Sequence, residues 1–379
     1  MSTRPDIFER DSEREKELAE LRSAVRDFLA PRSGHREVPA GQAGIGRDSA
    51  VWRQLSQQLR LPALSVPEEF GGDGFGLVEL VVVMEEMGRV LLDAPFFSSA
   101  VLAVQALLAS GDRRACQRYL PELASGRQIG ALAVAERGSA WDPVLVETRA
   151  ANDGQGWVLT GRKLFVIDGA QADLLLVVAR TVGGPTLFAV RRDAEGLAVH
   201  EMETLDLTRP MARLELAGTP AVIVGRDGGA ARAMTAVLDV ASVALAAEQA
   251  GAAQAELDLS IEYARTRVQF GRPIGSFQAV QHMCAEMLVQ VELALAAARE
   301  AALLHDERDP GFGVAAAAAH AYCSRAAMNV AAATIQVHGG IGFTWEHPAH
   351  LYFRRAKASQ MLFGGPAVVY ERVLERLGI

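Results

Sequence analysis

Cysteine is scarce: three residues in 379, Cys116, Cys284 and Cys323, far apart and in no CxxC pair. An odd, scattered set builds neither a disulfide framework nor a zinc ribbon, and it fits a reducing cytoplasm. Basic charge is outweighed, 38 Lys plus Arg against 46 Asp plus Glu for a net charge of −8. No basic field exists to hold a phosphodiester backbone, which excludes nucleic acid as a partner class. Long apolar runs are also missing. Val237–Ala247 and Val314–Ala319 are too short or too interrupted to span a bilayer, so no membrane span is expected. The opening MSTRPDIFERDSEREKELAELR is charged throughout and does not read as a signal peptide, which again places the chain in the cytoplasm. What remains is a 50% apolar, 22% charged composition, that of a folded globular chain. Its length suggests two or three domains sharing an interface.

The pattern changes twice along the chain. In the first part, residues 1–127, Leu18, Leu21, Val25 and Leu29 recur at helical spacing. Asp48 suits the N-cap of a helix carrying Val51, Leu55 and Leu59, and Pro62 and Pro67 stop that segment. The glycine-rich turn EFGGDGFG leads into a helix over Leu77–Leu92, with another over Ser98–Leu108. Residues 128–228 carry short β-branched runs with Gly and Asp punctuation, including an Asn152–Gly154 turn. These read as antiparallel strands too close together for crossover helices, hence a β-barrel or sandwich. Residues 229–379 return to helix, alanine-rich, with segments at Ala230–Val268, Phe277–His305, Gly313–His338 and Pro348–Leu362, then a short terminal helix after Gly364-Gly365-Pro366. Short connections between antiparallel helices predict a four-helix bundle. The fold class is thus α+β and multidomain: helical domain, middle β domain, helical bundle.

Local sequences make that order specific. YARTRVQFGRPIGSFQAVQH (Tyr263–His282), QVHGGIGFTWEHP (Gln336–Pro348) and LPALSVPEEFGGDGFGLVELVVVMEEMG (Leu61–Gly88) resemble signatures of the acyl-CoA dehydrogenase family, over essentially the whole chain. The resemblance implies a flavoprotein in which a carboxylate removes the proton α to a thioester carbonyl while a hydride leaves the β carbon for FAD. It also implies a tetramer in which each FAD lies between two chains, an acyl-CoA substrate and an electron-transfer flavoprotein as acceptor.

By that resemblance, the half-site each chain lends to its neighbour is retained. Arg267 matches the arginine that pairs with the FAD pyrophosphate, a task suited to the fixed guanidinium fork. Gln269 and Phe270 follow in matching positions, with Ile274 and Phe277 where the loop packs against the cofactor. Gln336, Gly339 and Gly340 match the segment near the adenine end, where paired glycines allow close approach. Taken singly, Arg267 reads equally as a surface arginine and Gly339-Gly340 as a helix C-cap.

The half-site for the chain's own flavin ring departs from the family. Where a Thr-Glu-Pro segment and then Ser-Asp are usual, the chain has Ala135-Glu136-Arg137 and Trp141-Asp142. Where Trp-Ile-Thr is usual, it has Phe165-Val166-Ile167. Each lost hydrogen bond that leaves a buried acceptor unpaired costs on the order of 1–3 kcal/mol. Aligned through Arg355-Ala356-Lys357, the usual position of the catalytic glutamate is Phe363. The position used by a second subgroup is Ala241, followed by Ser242 where arginine is usual. Neither Phe363 nor Ala241 can accept a proton, so no catalytic residue is assigned. Asp239, two residues and about 200° of helix away, should point elsewhere. Glu248 reads as a structural or surface acid, Glu136 stays in the barrel motif, and His338 reads as packing or a backbone hydrogen bond.

Two readings follow, with a third behind them. In one, the chain is the base-lacking subunit of a heterotetramer, of the kind known among actinobacterial members of the family acting on sterol side chains or other lipids. It then completes the FAD site of a homologous partner. In the other, it is a self-sufficient homotetrameric flavoenzyme with a displaced base or an oxygenase or oxidase activity. A structural or regulatory subunit without cofactor contact is the third, and an intact Arg267 argues against it.

Overall fold

A computed structural model describes residues 7–32, 49–139, 141–152, 154 and 156–379. The N-terminal helices are α1 (Ile7–Leu29), α2 (Ser49–Gln57), α3 (Leu77–Arg89), α4 (Val104–Ala109) and α5 (Arg113–Ala124). Asp48, expected to cap α2, lies outside the described residues, as does Asp153 of the Asn152–Gly154 turn. The helix expected over Ser98–Leu108 begins as a wide π turn, Phe97–Ala103, before tightening into α4. Helix α5 was not anticipated. Its signal was local: Asp112 accepts hydrogen bonds from Arg114 N (3.0 Å) and Ala115 N (3.1 Å), an N-cap, while Pro121 inside the helix obscures the pattern.

Seven strands follow: β1 (Gly130–Ala133), β2 (Arg149–Asn152), β3 (Trp157–Ile167), β4 (Leu174–Thr181), β5 (Gly184–Arg191), β6 (Leu197–Met202) and β7 (Met211–Val224). Their order is β1-β4-β2-β3-β7-β5; β4 also pairs with β5, which closes the sheet into a barrel, and β6 adds to β7. The sheet is not wholly antiparallel. Strand β1 runs parallel to β4, and β2 meets β4 in parallel at Arg149 and Arg180. Parallel pairing needs a long connection, and the segment between β1 and β4, which contains β2 and β3, supplies it. The ladder between β3 and β7 shifts register between Lys163 and Val166, and this bulge leaves Phe165 at φ 55° with its side chain turned outward.

The bundle contains α6 (Ala230–Thr266), α7 (Gln278–Asp306), α8 (Phe312–His338), α9 (Ala349–Met361) and α10 (Gly365–Leu377). Between α6 and α7 lies a small hairpin, β8 (Val268–Gln269) with β9 (Arg272–Pro273). Helix α6 is buried on all sides from Val237 to Ala253, the mark of a central core helix. By length and composition one of its 18-residue windows could cross a bilayer, contrary to the short-run expectation above, yet most of that window is buried inside the fold. A glycine on each helix lets α3 and α6 approach closely: a Cβ on Gly88 of α3 would lie 2.0 Å from Glu248 O, and one on Gly251 of α6 1.9 Å from Glu85 O. The largest hydrophobic core draws Phe97, Trp141, Ala241 and Phe363 together from all three parts of the chain. The candidate site lies against that core.

Candidate cofactor site

The barrel side of the site is closed by internal partners. Lys163, at 0% exposure, donates to Glu136 Oε1 (2.6 Å) and Val134 O (3.1 Å). Glu136 also accepts from Glu147 N (2.6 Å) and Thr148 N (3.0 Å), so both its oxygens are engaged by the chain itself. Burial works against ionisation of Glu136, but the Lys163 charge and these donors prevail and hold its carboxyl below the ordinary value. Burial pushes the Lys163 ammonium down to about 8, so the pair stays ionised near neutrality. The turn beyond is self-contained: Glu136 N donates to Ser139 Oγ (3.0 Å), and Asp142 Oδ1 accepts from Val144 N (2.8 Å). Glu136 is therefore a structural anion. Of this wall, Phe165 stays open, 47% exposed on its bulge.

Phe363, at the position aligned with the catalytic glutamate, is fully buried between α9 and α10 at φ 59°. Trp141 meets its ring edge-on at 5.0 Å between centroids, His320 lies at 5.9 Å and Phe97 at 6.3 Å. Ala241 sits in the same core. His320 Nδ1 lies 3.4 Å from Ser242 Oγ, its Nε2 has no hydrogen-bond partner among the described residues, and burial pushes the imidazole down to about 3, so it is neutral. A cleft of about 850 Å³ opens outward from Trp141 and Phe363. Asp142, Asp239, Glu371 and Glu375 line it against only Arg372 and Arg376. Asp239 takes two hydrogen bonds from Arg376 Nη2 (2.7 and 2.9 Å), and Arg372 donates to Phe363 O (3.3 Å). Asp239 therefore faces the cleft while Ala241 faces the core, as their angular separation on the helix requires.

Glu248 is not at the surface. It pairs in the interior with Arg209 and with Arg355 (2.6 Å), and Arg355 also pairs with Asp206 (2.6 Å). His338 is buried, and its Nδ1–H donates to Thr334 O (2.8 Å). Glu136, Glu248 and His338 are thus each engaged by internal partners, and Asp239 faces the cleft paired with Arg376. Among the described residues no group of His, Cys, Asp or Glu could hold a metal ion.

The face expected to be lent outward is the opposite in character. The backbone of Arg267 is pinned at both ends, its N–H donating to Tyr263 O (2.8 Å) and its C=O accepting from Ile274 N (2.8 Å). Its guanidinium is exposed and makes no hydrogen bond or ion pair among the described residues. Phe270 and Gly271, at φ 54° and 77°, turn the hairpin and leave Phe270 90% exposed. Phe277 carries Arg272 over its ring at 4.0 Å and meets Phe270 at 6.1 Å; Ile274 is half-buried, and Gln269 Nε2 donates to Val268 O (2.9 Å). Gln336, Gly339 and Gly340 are exposed at the end of α8. Gly339 does close the helix, with φ 61° and ψ −137° that only glycine adopts readily. Gly340 is different: its φ is not left-handed, and a Cβ there would meet nothing within 4 Å. The residues thus fit the grip of a dinucleotide on the outward face, whereas on the inward wall the side chains of Glu136, Lys163 and Asp142 are engaged by the chain itself and the ring of Phe165 stays open.

Sequence reading singled out Trp141 only as a lost hydroxyl and did not find Lys163, Phe97, His320 or Arg372. Lys163 had a signal, since strand parity places it on the buried face with Leu159. The aromatic cluster had none, because its members come from separate parts of the chain and meet only through tertiary packing.

Sequence models of the acyl-CoA dehydrogenase N-terminal, middle and C-terminal domains match residues 15–127, 131–217 and 227–378. The chain is 38% identical over 354 residues to the acyl-CoA dehydrogenase IpdE2 of Mycobacterium tuberculosis, covering 93% of this chain and 95% of that protein. Among solved structures, the ChsE4-ChsE5 complex from Mycobacterium tuberculosis superposes with a TM-score of 0.84 at 31% identity, covering 95% and 97% of the two chains. The Tcur3481-Tcur3483 steroid acyl-CoA dehydrogenase gives 0.84 at 32%, covering 96% and 98%. With all three domains matched and relatives similar along nearly their full length, this chain belongs to the acyl-CoA dehydrogenase family.

Proposed function

We propose that the chain is the subunit of an FAD-dependent acyl-CoA dehydrogenase that lacks a base of its own and completes the FAD site of a homologous partner. FAD is the cofactor of the family and accepts the hydride removed from the acyl group. The observation that carries the reading is Phe363, wholly buried and packed on Trp141 where the family's glutamate would stand. A carboxylate in that place would be buried among apolar rings, and the cleft leading to it carries four acids against two arginines, a poor receptor for a polyanionic CoA. Against this closed interior stand Arg267, exposed and unpaired among the described residues, and the exposed Gly340. Similarity to a complex of two differently named chains, ChsE4 and ChsE5, is consistent with assembly from unlike subunits.

In this reading Arg267 binds the pyrophosphate of an FAD seated mainly in the partner, and Gln336, Gly339 and Gly340 border its adenine end. The partner supplies the carboxylate. The holoenzyme oxidises an acyl-CoA to its 2-enoyl form and passes electrons to an electron-transfer flavoprotein. A homotetrameric flavoenzyme without a conventional base is the second reading, favoured by the half-open ring of Phe165.

The visible spectrum decides between them. Expressed alone, the chain should be colourless and inactive; co-expressed with a homologue carrying the glutamate, the complex should be yellow and turn over acyl-CoA. Arg267→Ala should lower FAD occupancy of that complex, the charged hydrogen bonds being worth roughly 1.5–3 kcal/mol. A lone chain saturated with FAD and bleached by acyl-CoA would establish the homotetramer instead.

A further inference from the structure

The two parts of the outward grip lie on different elements. Arg267 follows the last turn of α6, whereas Gly339 and Gly340 follow the last turn of α8. A ligand spanning both is held only if their separation is fixed. Between them stand three aromatic rings. Tyr263, whose carbonyl receives the Arg267 N–H, stacks on His338 with ring centroids 4.5 Å apart and planes 29° apart. His338, adjacent to Gly339, packs in turn on His347 at 4.2 Å. His347 Nδ1 accepts from Ala349 N (3.2 Å) at the start of α9. Tyr263 and His347 also meet edge-on at 6.5 Å, so the three rings form one cluster that ties the ends of α6 and α8 to the beginning of α9.

The middle ring is held from its own helix. His338 Nδ1–H donates to Thr334 O (2.8 Å), which fixes the tautomer and the ring plane, and burial disfavours the charged form. Close packing supports both sides of the junction. A Cβ on Gly342 would lie 3.3 Å from His338 Cβ, and one on Gly275 would lie 2.9 Å from Ala264 O. The turn after α8 is therefore pressed onto His338, and the loop after the hairpin is pressed onto α6.

We propose that His338 is a positioning residue for cofactor binding: its ring, packed on both Tyr263 and His347, sets the distance between the Arg267 guanidinium and the Gly339-Gly340 turn. His338 does not touch FAD. It acts through the two elements that do, and so this inference rests on the lending of Arg267 to a partner's cofactor.

The test is FAD affinity of the complex with its homologous partner, measured by fluorescence during titration of the apo-complex with FAD. An aromatic pair is worth ~0.5–1.5 kcal/mol, or about 2- to 10-fold in a binding constant when the pair organises the site. His338→Ala should weaken FAD by about that factor, and His338→Phe, which keeps the stack and loses the hydrogen bond to Thr334, should recover most of it. In the Arg267→Ala background His338→Ala should add little, since the spacing it sets no longer matters to a missing guanidinium. Each variant's melting midpoint is read alongside. A general loss of structure would lower FAD affinity equally with and without Arg267, and that additive result would overturn the inference. So would wild-type affinity in His338→Ala, or a His338→Phe as weak as the alanine variant. If Arg267→Ala itself leaves FAD binding unchanged, the lending is refuted and the positioning role falls with it. If Arg267→Ala weakens FAD and His338→Ala does not, only the positioning role is refuted.

Discussion

Phe363→Glu places the family's carboxylate where the alignment puts it, and two consequences can be worked out from its surroundings. The Phe363 ring is fully buried among Trp141, Phe97 and His320. Deleting such a ring costs about 3–5 kcal/mol through lost burial and the space left behind. A carboxyl in its place would be desolvated among these rings, and Arg372, the cation hydrogen-bonded to this turn, is directed at the backbone carbonyl of residue 363. The introduced group should therefore stay protonated at neutral pH. For a unit the size of the helical bundle, a loss of this order lowers the melting midpoint by on the order of 10 °C. Acyl-CoA turnover should remain undetectable, because Trp141 still fills the neighbouring space and no base is ionised. Scanning fluorimetry and a dye-reduction assay on the purified variant read both outcomes. An unchanged midpoint together with robust turnover by the isolated chain would refute the claim that this pocket is closed.

Gly340→Ala separates the exposed grip from a mere helix end. No left-handed φ and no atom within 4 Å oppose a methyl group there, so the melting midpoint of the isolated chain should stay within about 1 °C. FAD occupancy of the complex should nevertheless fall several-fold where a partner's nucleotide approaches the backbone, and equal occupancy would leave Gly340 without a binding role. His320 gives a pH dependence. Its pKa is about 3 in the folded chain against 6.5 as the ordinary value, so below about pH 6.5 the unfolded chain binds a proton that the folded one refuses. Its contribution to stability is complete above pH 6.5 and lost as pH falls toward 3, at about 1.4 kcal/mol per pH unit. Chemical denaturation of His320→Gln at pH 7.5 and 5.5 should show a smaller acid loss than the wild-type chain, and parallel losses would mean His320 is already charged when folded.

Helical parts of the fold were legible where composition and punctuation agreed. Gly271 and Pro273 end the α6 segment, Gly339 ends α8, and the observed bounds differ from the expected ones by a residue or two. The barrel's parallel contacts were not legible, because β1 and β4 read as ordinary apolar runs and nothing local states which neighbour each will take. The site divides in the same way. The absence of a base at Phe363 and Ala241 could be read from residue identity alone. What replaces the base could not, since Trp141, Phe97, His320 and Phe363 become neighbours only after all three parts have packed. The ion pairs Lys163–Glu136 and Glu248–Arg355 were hidden for the same reason. Neither acid's cation could be named from the sequence, because it lies far along the chain.

The two half-sites differ in what it costs to retain them. An interior pocket without a ligand is expensive, since unfilled apolar space costs about 24 cal/mol per Å³, and here Phe363 and Trp141 remove that expense. A solvated arginine on the surface costs nothing to keep, so the exposure of Arg267 alone says little. The hairpin beside it is another matter. Phe270 holds a left-handed backbone, worth roughly 1–2 kcal/mol for a residue with a Cβ, while its ring is 90% exposed and Val268 is 53% exposed. Glycine at position 270 would relieve the backbone and remove the exposed ring in one step. Strain and apolar surface kept together at one tip fit the proposed use of this hairpin against a second polypeptide or the cofactor between them. Phe270→Gly should then raise or preserve the melting midpoint of the isolated chain, by up to about 1 kcal/mol in stability, and weaken its complex with the partner. A variant that assembles and retains FAD as well as the wild-type chain would leave that surface without a purpose.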